Sequence, residues 1–386
     1  MRVSEVGAVV ADELASTRIA DVHVEVYDRP HPTTPADTMI GTEPIGHLLT
    51  ECVAVRITTA AGVTGESISL GGGLGLGHYI AKWIKPYLIG KDLRFVEAIW
   101  QGMWSRNRLW FLPQFAIGTV DVAIWDACAR SLDVPLWQLL GGYRDSLPTY
   151  ASSMSHETVE EYVEEAVRYR GRNFAGYKLH TTGDVDFDIE CCRAVREAVG
   201  PAMALMVDAV GAYNQLEALR VGTALQELGF HWFEEPLYDW DVHGLKWLSE
   251  QLAVPIAALE TNEGSMFSTP ELITTRAVDI VRSDVAFKGG VLPVKKTAAL
   301  AESFGLNLEI HTNAGNPLLD AANLALALSI KNTDFYEQLV PEGAFAYPAH
   351  GRIEVGADGR VRAPEGAGLG IRVDWEQVAE HSVGVL

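Results

Sequence analysis

Ala204-Leu-Met-Val-Asp-Ala-Val-Gly-Ala-Tyr-Asn-Gln-Leu-Glu-Ala-Leu-Arg-Val-Gly-Thr-Ala-Leu-Gln-Glu-Leu-Gly-Phe-His-Trp-Phe-Glu-Glu-Pro236 carries the period of this 386-residue chain. A short apolar run closes on Asp208, a helical stretch follows and stops at Gly229, and a second apolar run closes on Glu234. The unit recurs. Gly200 and Gly305 close helical stretches in the same way, and Val159, Tyr162, Val163, Ala166 and Val167 paint one helix face before Gly171. Strands are predicted near 148–151, 176–180, 204–208, 230–234, 256–260, 279–284, 306–311 and 335–338. Eight such strands with interleaved helices imply a parallel sheet closed into a (β/α)8 barrel, which usually takes ~250 residues. The alternative is an open doubly wound sheet, but no G-x-G-x-x-G follows any of these strands. P-loop, H-E-x-x-H and G-x-S-x-G motifs are also absent.

Upstream, Val53-Ala-Val-Arg-Ile-Thr-Thr alternates at period 2 and turns through Ala61-Gly-Val-Thr-Gly-Glu into Ser67-Ile-Ser-Leu, an antiparallel opening. The helical stretch Gly118–Leu140 follows it, which makes the first module α+β. The run Gly71-Gly-Gly-Leu-Gly-Leu-Gly reads as a flexible loop. Composition is that of a globular protein, with 48% hydrophobic and 21% charged residues. A net charge of −21 would repel phosphate backbones and anionic lipid, so neither nucleic acid nor membrane is an expected partner. Cys52, Cys128, Cys191 and Cys192 form no C-x-x-C pair, which fits a reducing cytoplasm. The apolar stretch Val6–Ala11 is too short for a signal peptide, and no window is long enough for a membrane span.

In a barrel of this type the C-terminal strand ends share one cavity. Here they carry Lys178 and His180, Asp208, Glu234, Glu260, Asp284, His311 and Glu337, spaced from Asp208 onward by 24 to 27 residues, one βα unit each. Any single Asp or Glu at a strand end is more often a helix cap or a solvated loop residue, His180 a surface side chain, and His311 a core histidine. Seven consecutive strands closed in this way are harder to explain by accident. Asp208, Glu234 and Glu260 lie on consecutive strands, and two carboxylates ~4 Å apart repel by ~4 kcal/mol at an effective dielectric of ~20. Such a set calls for a cation, and all-oxygen donors favour Mg²⁺ over zinc. Strand alternation lets only one of Glu234 and Glu235 point inward, without saying which. It also puts Lys178 and His180 on one face. Asp284 and His311 end neighbouring strands, so the carboxylate can hold one imidazole nitrogen and leave the other to take a proton.

With these residues in place the chain resembles the enolase superfamily, in particular its mandelate racemase subgroup, over nearly its whole length. The capping helices carry Ala123-Ile-Trp-Asp and end in Leu139-Leu-Gly-Gly, and the Glu234-Glu-Pro and Gly289-Gly pairs stand at the family's positions. The resemblance implies an α+β capping domain (1–140), a modified TIM barrel of the (β/α)7β kind (141–355) and a C-terminal segment (356–386) returning to the cap. It implies Asp208, Glu234 and Glu260 as metal ligands, Asp284 and His311 as the base dyad, Glu337 as the acid bonding the substrate carboxylate, and Lys178 as the first lysine of a Lys-x-Lys pair. His180 stands where the second lysine usually does, and imidazole also titrates in range.

The expected chemistry is removal of the proton α to a carboxylate through an enediolate, a reaction for which a Lys or His base beside Mg²⁺ is this superfamily's known arrangement. The leading expectation is an acid-sugar dehydratase (hydro-lyase) converting an aldonate or aldarate to a 2-keto-3-deoxy acid. Rival readings are a racemase, epimerase or cycloisomerase on a related carboxylate, and a metal-dependent small-acid binding protein without turnover. A small-molecule carboxylate partner and a homo-oligomer are expected. Residues 28–47, with His31 and His47, and Gly71–His78 are candidate lid segments, although each also reads as an ordinary surface loop.

Overall fold

Residues 16–29, 39–40, 43–44, 50–313 and 315–386 are described by the computed structural model. His31, His47 and the stretch Val6–Ala11 lie outside them. Strands β1 (Ile19–Asp28), β2 (Glu51–Thr59) and β3 (Thr64–Ile68) form an antiparallel sheet, and the C-terminal strand Ser382–Val385 pairs with the free edge of β1. The alternation read in Val53–Thr59 is real, with Val53, Val55 and Ile57 packed under helices on one face.

The glycine run is not a loop. Gly73–Tyr79 is helix α1, because Leu76 and Gly77 are buried against the sheet. Any Cβ at Gly77 would lie 2.6 Å from Val26, so the glycine permits a close approach that a side chain would block. Helix α2 (Val96–Trp110) is followed by α3 (Gln114–Ser131), which stops short of the predicted Leu140. Pro135 interrupts, and a separate short turn, Leu136–Leu139, follows.

Barrel strands β4 (Ser146–Ser152), β5 (Gly176–His180), β6 (Ala204–Asp208), β7 (Trp232–Glu234), β8 (Ile256–Ala258), β9 (Ile280–Ser283), β10 (Asn307–Ile310) and β11 (Tyr336–Leu339) match the eight predicted positions. All pair in parallel from β4 through to β10, and β11 pairs with β4 in register Tyr336↔Thr149 to Leu339↔Ser152. That pairing excludes the open sheet. The seam between β10 and β11 is bridged by the Glu309 carboxylate, which accepts from Thr333 Oγ1 and from the amides of Asp334 and Phe335.

Among the described residues seven α-helices separate the eight strands, giving (β/α)7β: α4 (Val159–Gly171), α5 (Val185–Val199), α6 (Gln215–Glu227), α7 (Val242–Gln251), α8 (Thr269–Thr275), α9 (Val291–Ser303) and α10 (Pro317–Ser329). Thr158 with Glu161 and Asn214 with Glu217 form capping boxes that start α4 and α6. On α4 the buried side chains are Tyr162, Glu165, Ala166 and Tyr169, so Val167 faces solvent and the expected apolar stripe is rotated. Glu165 takes the inner position because its carboxylate accepts from Tyr177 Oη and sits 3.0 Å from His156 Nε2.

Tyr150, Met206, Trp232 and Ala257 plug the barrel interior. Burying each aromatic removes about 150–250 Å² from water, worth about 4–6 kcal/mol at about 25 cal/mol per Å². This layer seals the cavity above it from one end. The cap grips the opposite end: Trp100 Nε1 donates to the Gly289 carbonyl (2.7 Å), and Asp121 Oδ2 accepts from the Val291 amide (2.8 Å). Asp126, from the Ala-Ile-Trp-Asp motif, accepts from the amides of Glu66 and Leu369, tying β3 to the tail.

Candidate active site

The predicted strand-end residues converge on one buried layer directly above the Trp232 plug. Lys178, with no exposed surface, donates to Asp208 Oδ2 at 2.8 Å and Glu234 Oε1 at 3.1 Å and sits 2.9 Å from Glu337 Oε1. Burial alone would lower its pKa, but the three carboxylates hold it well above the ordinary lysine value. Lys178 is therefore a fixed cation, and it does not have the free amine that a lysine base requires.

Arg282 is the residue that strand-end reading missed. It lies two positions before Asp284, on the same inward face, and period-2 counting back from the strand end would have found it. Its Nε is 2.6 Å from Glu234 Oε1, and its Nη2 is 2.7 Å from Glu337 Oε2 and 3.5 Å from Glu260 Oε2. Between Lys178 and Arg282, Glu337 is held well below the ordinary carboxylate range despite its burial. In this arrangement Glu337 accepts from Arg282 Nη2 and lies 2.9 Å from Lys178 Nζ.

Asp208, Glu234 and Glu260 repel one another across the layer. Burial raises Glu234 above its ordinary value in spite of Arg282 and Lys178, and it raises Glu260 to about 8 against the pull of His311 and Arg282. Asp208 is the exception: Lys178 and His180 outweigh burial and hold it low.

The alternation rule fails at Glu235. This residue has φ +40°, so the chain turns as β7 ends and both Glu234 and Glu235 are buried within the acidic layer. Glu235 Oε1 has no hydrogen-bond partner among the described residues. Burial, with Asp239, Glu260, Asp208 and Glu234 adding to it, pushes its carboxyl well up. Val210 (φ +48°) and Leu259 (φ +91°) flank the other two carboxylates, and non-glycine residues in this region store about 1–3 kcal/mol each. The Asp239 carboxylate holds the turn at Leu259 by accepting from the amides of Leu259 and Thr261. That turn is what aims Glu260 at the cavity.

Among the described residues no three carboxylate, thiolate or imidazole groups already enclose an ion position; oxygens of Asp208, Glu234 and Glu260 are instead engaged by Lys178, Arg282 and His311. The donor chemistry nonetheless suits a hard divalent cation. Asp208, Glu234, Glu260, Glu235 and Glu337 share two permanent cations, and one buried oxygen has no partner.

Two imidazoles flank this layer. His311 Nδ1 donates to Asp284 Oδ2 at 2.8 Å, and Asp284 Oδ1 accepts from the Phe287 amide at 2.6 Å, so the carboxylate is fixed and the ring with it. His311 Nε2 then faces Glu260 Oε1 at 3.3 Å. A lone pair against a carboxylate repels, so this contact favours a shared proton: burial would lower His311, yet Glu260 and the Asp284 bond push it up to about 9. His180 comes from β5. Its Nδ1 is 2.6 Å from the Ser153 carbonyl, which can only accept, so that nitrogen carries the proton and Nε2 points at Asp208, 3.2 Å away.

The His311 and Glu260 shifts have a common consequence for stability. His311 rises from an ordinary 6.5 to about 9, so its contribution is full below pH 6.5 and is lost as pH climbs through 9. Glu260, raised from an ordinary 4.5 to about 8, penalises the folded state increasingly from pH 4.5 to 8, which overlaps the lower part of that window. In EDTA the melting temperature should therefore fall between pH 6.5 and 9, and added Mg²⁺ should flatten that slope. A melting temperature that rises over this interval in EDTA would show that the His311–Glu260 contact does not hold a proton.

Residues 21–141 match the family model for the mandelate racemase / muconate lactonizing enzyme N-terminal domain, and residues 159–378 match the enolase C-terminal domain-like model. The chain is 30% identical to an arabinonate dehydratase of Saccharolobus solfataricus, over 84% of this chain and 88% of that protein. It is also 30% identical to a 3,6-anhydro-alpha-L-galactonate cycloisomerase of Streptomyces coelicolor, over 95% and 100%. The crystal structure of D-glucarate dehydratase from Agrobacterium tumefaciens complexed with magnesium superimposes with a TM-score of 0.84 at 33% identity, covering 96% of this chain and 100% of that one.

Proposed function

Since the chain belongs to the mandelate racemase / muconate lactonizing enzyme group of the enolase superfamily, we propose that it is a Mg²⁺-dependent dehydratase converting an aldonate or aldarate to a 2-keto-3-deoxy acid. The observation that carries this reading is the Asp284–His311 pair, with one imidazole nitrogen anchored and the other turned toward Glu260. Asp208, Glu234 and Glu260 would hold the ion, which supplies a positive charge that acidifies the proton α to a bound carboxylate. With Glu260 committed to the ion, the proton that His311 shares with it would leave, and His311 Nε2 then takes the α-proton while Asp284 stabilises the imidazolium through Nδ1. The electron pair left at C2 forms the enediolate and then expels the 3-hydroxyl. That group departs as water with the proton carried on His311, or with one from His180 on the other side of the layer. The resulting enol tautomerises to the 2-keto acid.

A second reading, an isomerase, draws on His180. Two imidazoles from β5 and β10 flank the carboxylate layer, an arrangement suited to removing a proton from one face of C2 and returning it to the other. Product analysis separates the two. A panel of aldonates and aldarates incubated with Mg²⁺ should release a 2-keto acid, detected as its semicarbazone, and EDTA should abolish the release. Epimer formation or ring opening with no keto acid from any panel member would replace the dehydratase reading with the isomerase one.

A further inference from the structure

The turn that presents Glu260 runs through Leu259 at φ +91°, a backbone region that a leucine keeps only where its neighbours hold it. Side chains from two other loops do so. On one side Asp239, between β7 and α7, accepts from the Leu259 and Thr261 amides and, at 3.2 Å, from Thr261 Oγ1. On the other side Lys288, between β9 and α9, donates from Nζ to the Asn262 carbonyl at 2.7 Å and to Asn262 Oδ1. The Lys288 carbonyl also accepts from Ser265 Oγ at 2.6 Å, so this residue grips the segment after Glu260 through its side chain and its backbone. Lys288 is 2% exposed, and an ammonium this deeply buried, with two of its three donors spent on one loop residue, is no solvated surface charge. Burial lowers it to about 8 against the pull of Asp239, Asp284, Glu235 and Glu260, so it still carries its charge at pH 7.

The same loop carries Asp284. The Lys288 amide donates to the Asp284 carbonyl at 3.2 Å and the Phe287 amide to Asp284 Oδ1 at 2.6 Å, so residues 284–288 close one turn with Asp284 at its start and Lys288 at its end. The cap packs directly against the end of this turn: Gly290 stands at φ +121°, and a Cβ there would lie 2.2 Å from Asp121 Oδ2. We propose that Lys288 is a positioning residue, which fixes through Asn262 the turn that aims Glu260 and, by sharing a turn with Asp284, holds the ion ligand and the base His311 in one frame. The proposal rests on the reading of Glu260 as a Mg²⁺ ligand and is independent of which acid the enzyme turns over.

Removing this ammonium has two opposed effects on the ion. Loss of a positive charge beside an acidic layer would by itself tighten Mg²⁺ binding, whereas a loosened Glu260 turn would weaken it. The sign of the change therefore separates a positioning residue from a mere counter-charge.

The test is calorimetry with Mg²⁺ at pH 7 on wild type, Lys288→Met, Lys288→Arg, Glu260→Gln and the double variant of Lys288→Met with Glu260→Gln, at titrant concentrations that saturate the weakest of them. Melting temperatures in EDTA control for folding. Lys288→Met should bind Mg²⁺ at least tenfold more weakly than wild type, since residues that orient metal ligands are typically worth about 10–100-fold. Lys288→Arg, which can still donate to Asn262, should recover most of that loss. On the Glu260→Gln background Lys288→Met should cost less than about threefold, because a residue that acts through Glu260 then has nothing left to position. Unchanged or tighter binding in Lys288→Met, with the ion lost in Glu260→Gln, overturns the proposal and leaves the ligand assignment standing. A tenfold loss that persists in the double variant overturns it as well. Wild-type binding by Glu260→Gln is instead the failure of the ligand assignment, and the proposal falls with it. If Lys288→Met does not fold, Asn262→Ala takes its place at a half-buried loop position: a loss that vanishes on the Glu260→Gln background supports the proposal, and wild-type binding overturns it.

Discussion

His311→Asn should bind Mg²⁺ and substrate nearly as wild type does, yet turn over about a thousandfold more slowly and lose exchange of the substrate α-hydrogen in D₂O. The size follows from removing a positioned general base, which typically costs 10²–10⁴-fold, as an order of magnitude. Asparagine is the informative replacement because its amide can still donate to Asp284 Oδ2, now served by Nδ1 at 2.8 Å. The fold of the loop is then undisturbed and only the basic nitrogen is lost. Exchange that persists in His311→Asn and disappears in His180→Asn would move the base to β5 and imply the opposite configuration at C2. Lys178 is the weaker candidate for that alternative base, because three carboxylates keep it protonated. Loss of exchange in Lys178→Met with retention in both histidine variants would contradict the assignment of Lys178 as a fixed cation.

The second large effect concerns the ion. Glu260→Gln should weaken Mg²⁺ binding by about a hundredfold or more, since even residues that only orient metal ligands typically cost 10–100-fold, as an order of magnitude. Glu260 is the cleanest of the three to replace, because its contact with Arg282 is 3.5 Å and its other neighbour, His311, can be neutral. Asp208→Asn and Glu234→Gln should lose the ion as well, but they also strip charge from Lys178 and Arg282. Breaking a buried pair in this way costs about 3–5 kcal/mol, so circular dichroism must accompany their calorimetry. If Glu234→Gln binds Mg²⁺ normally and Glu235→Gln does not, the ligand on β7 is the second glutamate of the pair.

Strand positions and the convergence of the strand-end residues were legible without coordinates, because both follow from one-dimensional periods. A run such as Ala204–Asp208 must be buried to be stable, and the 24-to-27-residue step returns the chain to the same end of the barrel each time. Period 2 also implied Arg282, had it been applied one step further down β9. Composition misled at Gly71–Gly77, where flexibility was expected and a close-packed helix is found, since only the sheet beneath it rewards the missing side chains. Alternation failed at Glu235 and Leu259 for a related reason. Both residues sit in left-handed backbone that their own side chains disfavour, and it is held by contacts from other elements, such as Asp239 on the Leu259 and Thr261 amides. The balance of charge was likewise out of reach of spacing. Which carboxylates keep protons, and that Lys178 is a fixed cation, depend on distances of 2.6–3.3 Å between strands far apart in sequence. The sequence alone therefore determined which titratable groups meet at one end of the barrel. The protonation of each group was decided by the tertiary structure, because desolvation and pairing are properties of a packed neighbourhood that no single strand contains.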